Sequence, residues 1–417
     1  MKRVLLFLLL LLPAWLLSSA ASPDTLAIEL PTPADSQAVH FEANFLEFPA
    51  GHERFDSLYA QLRGLSSGQT RTLRMLHIGG SHVQAGIFSG RMRQNLSAFN
   101  GGKPVGRGLV FPYSMMKTNG PRDVQVDYQG QWLRSRCVEK SPSQTLGLAG
   151  AALTTSDTMA SILLTLPDDV EQVTILGQSH RDTSYLYPIL IEGNDTLCPP
   201  LSDELTGYDF LLSQPSRTCR IGFLGQEGGA FSLRGFLCDA DGQGLIYSDS
   251  GINGASVPSW LRCEAFADEL SLLSPSLVVF AIGINDANVQ PSKFDKEQFR
   301  AHYTQLIRRI LRVNPRCSFL FVTNNDCRLR IGKYGKPNPN TAGVEEVFLD
   351  LAREYQGAVW NLYRVMGGMG SSARWHKAGL MQKDQVHFTL RGYQLLGDLL
   401  FNALVADYQK YNDYGLN

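Results

Sequence analysis

The sequence predicts an α/β protein whose parallel sheet is covered on both faces, with an all-β sandwich inserted into it. Three observations carry this. From about residue 247 onward, apolar strand-like runs alternate with amphipathic helical runs. The same alternation stands once at residues 71–97, well ahead of the others. Between the two, from about 121 to 246, short strand-like runs are separated by Gly, Asn, Asp and Pro, with no convincing helical run among them.

The chain opens on a targeting signal. Met1-Lys2-Arg3 is basic, Val4 to Leu17 is an apolar run interrupted by Pro13, and Ser18-Ser19-Ala20-Ala21 offers small residues for cleavage. The run is short for a spanning helix. A secretory signal peptide over residues 1–21, cut near Ala21, is therefore expected, and with it a periplasmic or secreted protein that has no stable membrane insertion afterwards. Residues 22–70 follow as an N-terminal arm and helix. Pro23, Pro31 and Pro33 keep the arm extended, and Phe55, Leu58, Tyr59 and Leu62 share one helical face.

Residues 71–120 form the first part of the α/β domain. Leu73 to Ile78 is a strand, and Val83, Ile87, Met92 and Leu96 recur at helical spacing up to about Ser97. The glycine-rich stretch Gly101 to Gly120 follows a helix rather than joining a strand to one, so it reads as a loop lining a cleft and not as a phosphate cradle. Residues 121–246 are the inserted sandwich, with strands at Val124–Tyr128, Ser161–Leu166, Gln172–Leu176, Tyr187–Ile191, Cys219–Phe223 and Phe231–Leu237. Residues 247–417 complete the α/β domain. Strands are expected at Leu277–Ile282, Ser318–Thr323 and Ala358–Leu362, and helices at Phe299–Val313, Val344–Tyr355 and Leu390–Tyr408.

Composition narrows the function. A net charge of −1 over 417 residues gives no reason to expect a nucleic-acid partner. The seven cysteines are scattered, with no CxxC and no zinc-type cluster. Most read as buried apolar fillers, although Cys219 with Cys238, or Cys317 with Cys327, are spaced to pair.

Chemistry concentrates at two places. Ile78-Gly79-Gly80-Ser81 ends a strand and starts a helix, which holds a hydroxyl at the carboxyl edge of the sheet beside free helix N–H groups. Alone, such a serine reads more readily as an N-cap. Asp384-Gln385-Val386-His387 lies in a loop before the last helix, and its spacing lets one short loop carry an imidazole and the carboxylate that orients it. The bland alternatives are a helix cap for Asp384 and an inert first-turn residue for His387. Ser81, His387 and Asp384 together make a candidate triad.

Four blocks, in order, resemble the SGNH (GDSL-type) hydrolases: Ile78-Gly79-Gly80-Ser81, Gly251-Ile252-Asn253-Gly254-Ala255, Gly283-Ile284-Asn285-Asp286 and Asp384-Gln385-Val386-His387. The resemblance covers about 71–120 and 246–410. It implies a flavodoxin-like three-layer domain, Ser81 as nucleophile, His387 as base and Asp384 as the triad acid. It also implies an oxyanion hole from the Ser81 and Gly254 N–H groups and the Asn285 side-chain amide, with no metal or organic cofactor. Gly80 stands where the family usually has Asp, so a looser nucleophile turn is expected. Asp286, beside Asn285, reads as a loop residue rather than a rival acid.

An exported SGNH enzyme with a sandwich between its first two blocks resembles bacterial carbohydrate and peptidoglycan O-acetylesterases, so an O-acylated glycan substrate is expected. Trp132, Trp260, Trp375 and Tyr113 are candidate sugar platforms, with buried core as the alternative for each. Thr323, Asn324, Asn325 and Asp326 read either as pocket lining or as a strand-end turn. Residues 366–376 read as a cleft wall, and His82 as a substrate contact or a helix-start residue. Two other functions stay open: a lipase or lysophospholipase on the same fold, and a non-catalytic glycan-binding protein.

Overall fold

The computed structural model describes residue 26 and residues 37–180, 184–199, 206–240, 244–329 and 335–414. The expected signal segment at 1–21 lies outside them. The first elements are β1 (Leu46–Glu47) and α1 (Glu53–Ser67). Phe55, Leu58, Tyr59 and Leu62 of α1 are buried at 3–4-residue spacing, and Gly68 ends the helix at φ 73°. Next comes β2 (Thr72–Gly79), buried without a break from Met75 onward. The expected single helix after it is two: α2 (Ser81–Gln84) and α3 (Ile87–Leu96). Gly86, at φ 67°, separates them, because that left-handed conformation cannot continue a right-handed helix.

The antiparallel part contains β3 (Gly108–Val110), β4 (Gln125–Gln129), β5 (Leu133–Arg136), β6 (Ala151–Thr155), β7 (Ser161–His180), β8 (Leu186–Glu192), β9 (Asp195–Leu197), β10 (Gly207–Gly225) and β11 (Ala230–Asp239). Two strands expected as separate pieces, 161–166 and 172–176, are one strand of 20 residues, β7. Its first part pairs β4 and the end of β10, and its second part pairs β11 and the start of β10. Register shifts around Ser216 let β10 bend with it. Both long strands therefore belong to one connected nine-stranded antiparallel sheet. Rings of Tyr187, Tyr208, Phe231, Phe223 and Trp132 pack in one buried row, each 5.6–6.2 Å from the next. The expected loop 101–120 contributes β3, which pairs with β11.

The remaining elements are β12 (Gly244–Gly251), α4 (Val257–Leu261), α5 (Phe266–Leu273), β13 (Leu277–Ala281), α6 (Ile284–Ala287), α7 (Lys296–Val313), β14 (Ser318–Val322), β15 (Arg328–Leu329), β16 (Lys336–Pro337), α8 (Asn340–Tyr355), β17 (Ala358–Trp360), α9 (Leu362–Met366), α10 (Ser371–Lys377) and α11 (Leu390–Tyr414). β12 begins three residues before the boundary expected at 246/247 and lies wholly in the parallel sheet. That sheet has the order β1-β17-β14-β13-β2-β12, with only β1 antiparallel. Numbered as they occur in the chain, its five parallel strands lie 2-1-3-4-5, the flavodoxin-like order. The order reverses between β2 and β13, so their carboxyl ends open the crevice where such sheets take ligands.

Alternation along β2 divides the core. Leu73 and Met75 pack with α1, α3 and α11 on one face. Leu76 and Ile78 pack on the other, in a cluster that runs through α7 and α8 and continues without a gap into Phe231 and Phe236 of the antiparallel sheet. Arg234 of β11 and Glu269 of α5 form a buried ion pair across this junction, and Glu269 also accepts from the Leu148 N–H at 2.6 Å. The seven cysteines carry free thiols, so neither Cys219–Cys238 nor Cys317–Cys327 is bonded. Among the described residues, no helix is long and apolar enough to cross a membrane.

Candidate active site

Ser81 is the first residue of α2, directly after β2 and Gly80. Its Oγ lies 2.9 Å from His387 Nε2. On the other side of the ring, His387 Nδ1 lies 2.7 Å from Asp384 Oδ2. Asp384 Oδ1 accepts the N–H groups of Val386 at 3.0 Å and His387 at 3.1 Å. Partial burial pushes the Asp384 carboxyl up, but the bond to His387 and the two amides outweigh it and hold the group below the usual value. The loop is fixed from outside as well. Gln382 N–H donates to the His387 carbonyl at 2.8 Å, Arg328 Nε to Gln385 Oε1 at 2.9 Å, and Asn325 Nδ2 to the Val386 carbonyl at 3.2 Å. The His387 and Asp384 side chains are 29% and 33% exposed, so the relay opens directly to solvent.

Three loops from adjacent strands meet beside Ser81. A Cβ on Gly80 would lie 3.5 Å from Asn285 Nδ2 and 3.5 Å from the Ala255 carbonyl oxygen. Asn285, just past β13, donates that amide to Ala255 O at 2.8 Å. Gly254, between β12 and α4, takes φ 82°, a conformation that suits glycine and turns its backbone away from the regular path. Ser81, His387 and Asp384 thus stand in one hydrogen-bonded chain, Asn285 lies beside Gly80, and Gly254 adjoins Ala255, whose carbonyl takes the Asn285 amide. Asp286 is not near the imidazole relay through any hydrogen bond; both its oxygens accept the Val257 N–H at 3.2 Å, at the start of α4. Burial pushes its carboxyl up to about 7.

The turn at Gly80 is held by backbone bonds and by the side chain of Gln84. Gly80 O accepts the N–H groups of Val83 and Gln84, each at 3.1 Å. The buried Gln84 side chain then clamps two loops. Its Oε1 accepts the Asn253 N–H at 2.5 Å, and its Nε2 donates to Asn119 O at 2.6 Å and Thr118 Oγ1 at 3.0 Å. Asn253 Nδ2 adds a bond to Asn119 Oδ1 at 2.7 Å. Gln84, Thr118 and Asn119 carried no signal of this in the sequence beyond the cleft-lining reading of 101–120.

Other sequence candidates go elsewhere. Trp132, Trp260, Trp375 and Tyr113 are all buried, so none is an exposed sugar platform. Tyr113 OH donates to Gly251 O at 2.9 Å and Trp375 Nε1 to Ala38 O at 2.9 Å, which ties both into the frame. Thr323, Asn324, Asn325 and Asp326 are buried too. Thr323 Oγ1 accepts the Tyr363 N–H, Asn325 Nδ2 donates to the Val386 carbonyl and Asp326 accepts the Ser372 N–H, so these three anchor loops, while Thr323, Asn324 and Asn325 also border a small cavity. His82 Nδ1 shares a hydrogen bond with Tyr393 OH at 2.8 Å. Along 366–376, Met369 is exposed while Trp375 is not.

The model of the GDSL-like Lipase/Acylhydrolase family matches residues 224–395. That segment is similar to the GDSL-like hydrolases. It holds Gly254, Asn285, Asp384 and His387, while Ser81 lies before it and joins them only through the fold. A solved structure of a peptidoglycan O-acetylesterase superposes with a TM-score of 0.70 and 21% identity, over 88% of this chain and 99% of that one. What the two share at that identity is the fold. A family two carbohydrate esterase from Cellvibrio japonicus aligns at 11% identity over 70% of this chain and 99% of its own, with a TM-score of 0.27. An acetyl xylan esterase aligns at 20% identity over 37% and 79%, with a TM-score of 0.30. No curated protein sequence matches.

Proposed function

We propose that this GDSL-like hydrolase is an exported serine esterase that removes O-acyl groups, chiefly O-acetyl, from a carbohydrate or peptidoglycan. The observation that carries the reading is the Ser81–His387–Asp384 relay at the switch point of the sheet. His387 Nε2 takes the Ser81 proton as Oγ attacks the ester carbonyl. Asp384 keeps the proton on Nδ1 and stabilises the imidazolium. The negative oxygen of the tetrahedral intermediate sits among the Ser81 N–H, the Gly254 N–H and the Asn285 amide. His387 returns its proton to the departing sugar hydroxyl, and water, activated by the same imidazole, then releases the acyl group from Ser81.

Two features favour a short acyl group on a polymer. The relay is about one-third exposed rather than sunk under an apolar lid. The overall fold, insertion included, superposes on a peptidoglycan O-acetylesterase. The antiparallel segment, roughly 121–246, presents the polymer in this reading; Tyr128, Leu133 and Met159 are its exposed large side chains nearest in sequence to the cleft loop. The basic, apolar, small-residue start of the chain supports export.

The test compares 4-nitrophenyl acetate, 4-nitrophenyl decanoate and O-acetylated peptidoglycan, with Ser81→Ala as control. Acetate release from the short ester and the polymer, abolished in Ser81→Ala, is expected. Preference for the decanoate would favour a lipase, and unchanged turnover in folded Ser81→Ala would end the reading.

A further inference from the structure

We propose that His82 is a positioning residue for His387, holding the imidazole in line with Ser81 Oγ from behind. The inference rests on the relay reading above. His82 follows Ser81 directly, yet its ring reaches the segment that carries the base. Its centroid lies 5.5 Å from the His387 ring, 5.7 Å from Phe388 and 5.7 Å from Tyr393. Nδ1 is tied to Tyr393 OH at 2.8 Å, so the first turn of α11 and the nucleophile turn share one bond. The other ring nitrogen, Nε2, is buried and has no hydrogen-bond partner among the described residues. One imidazole therefore joins the nucleophile turn, the loop that carries His387 and the first turn of α11, whose relative placement sets the Ser81–His387 distance.

Its surroundings suit that task. A cavity of about 20 Å³ lies behind the ring, bounded by Phe88, Ile284, Asn324 and Leu396, so packing there is nearly complete. Burial, and next the proximity of His387, push His82 down to about 3, with Asp384 and Asn325 acting the other way. His82 is thus neutral when His387 takes up the Ser81 proton, and no second cation opposes the imidazolium. The titratable groups facing it are His387 and Asp384 from the loop and Tyr393 from α11.

Two variants separate positioning from packing. His82→Phe keeps a ring of similar size and removes its nitrogens, and Tyr393→Phe removes only the hydroxyl. Turnover of 4-nitrophenyl acetate is measured per serine titrated with a fluorophosphonate, across pH 5–9, alongside Tm. We expect kcat to fall roughly 10- to 100-fold in His82→Phe and somewhat less in Tyr393→Phe, with KM within about twofold. The acid limb of the kcat profile should move, and the double variant should be no slower than His82→Phe, because both act through one bond. A kcat per titrated serine within twofold of wild type in both variants, or losses that multiply in the double variant, overturns the proposal. If His82→Phe does not fold, Tyr393→Phe alone decides. Ser81→Ala run in parallel keeps the two claims apart: an inactive Ser81→Ala with fully active His82→Phe refutes only the role of His82, whereas an active Ser81→Ala refutes both.

Discussion

Replacing Asn285 by Ala isolates the donor that the proposed mechanism uses only in the transition state. The amide carries two N–H groups. One is committed to Ala255 O at 2.8 Å, and the other is the donor assigned to the oxyanion. Losing one such donor raises the barrier by about 3–4 kcal/mol, which is on the order of 10²–10³ in kcat. Losing the Ala255 bond as well costs about 1 kcal/mol of stability, roughly 1 °C in Tm for a chain of 417 residues. Because the oxyanion exists only in the transition state, KM should change little. Asn285→Asp, of the same shape, places an acceptor against Ala255 O and the developing charge, and should be at least as slow. The assay is steady-state hydrolysis of 4-nitrophenyl acetate normalised to titratable serine, with Tm measured on the same preparations. A kcat per active serine within threefold of wild type, or a defect confined to KM, would refute the assignment and make Asn285 a loop tie or a substrate-binding residue.

Ser81→Ala and His387→Ala should each cost about 10⁶ in kcat and Asp384→Ala about 10⁴, since a carboxylate that only orients the base is lost more cheaply; equal losses in all three, on folded protein, would contradict the roles. Gly251→Ala would put a Cβ 2.4 Å from the Gln84 backbone nitrogen and 2.9 Å from Gly80 O, displacing the nucleophile turn. About a 10²-fold loss of kcat with near-normal far-UV circular dichroism is expected, and unchanged kinetics would show that the turn tolerates the shift. His52 bridges α1 and α11 between Asp56 at 2.6 Å and Asp407 at 2.7 Å. Burial opposes its charge, but the two carboxylates more than offset this and raise its pKa above 6.5. The stabilisation is therefore full below about 6.5 and is lost as pH rises through the raised value. His52→Gln should lower Tm at pH 6 and by less at pH 9; an equal deficit at both would mean that packing, not charge, holds the two helices.

What local sequence determined is what local physics determines. Strand, glycine turn and serine at 76–81 are contiguous, so the element and its exposed hydroxyl are written in one stretch. Asp384 and His387 stand three apart, and that spacing alone lets Oδ2 reach Nδ1. The alternation of strand and helix after 247 carried the parallel sheet, because a sheet buried on both faces leaves continuous apolar runs such as Leu277–Phe280. Tertiary structure decided what depends on partners far along the chain. The pieces 161–166 and 172–176 are one strand because β10 pairs with both, on either side of Pro167, which interrupts the apolar pattern. Trp260 and Trp375 read equally as platform or core until other elements cover them, since an indole carries the same apolar surface in either place. Thr323 to Asp326 turned inward because the backbone groups of α9, α10 and the His387 loop needed partners there. His82 gave no sign of its place beneath His387, 305 positions later in the chain. Its nearest neighbours are set by how α11 lies on α3, and that packing is a property of the folded core.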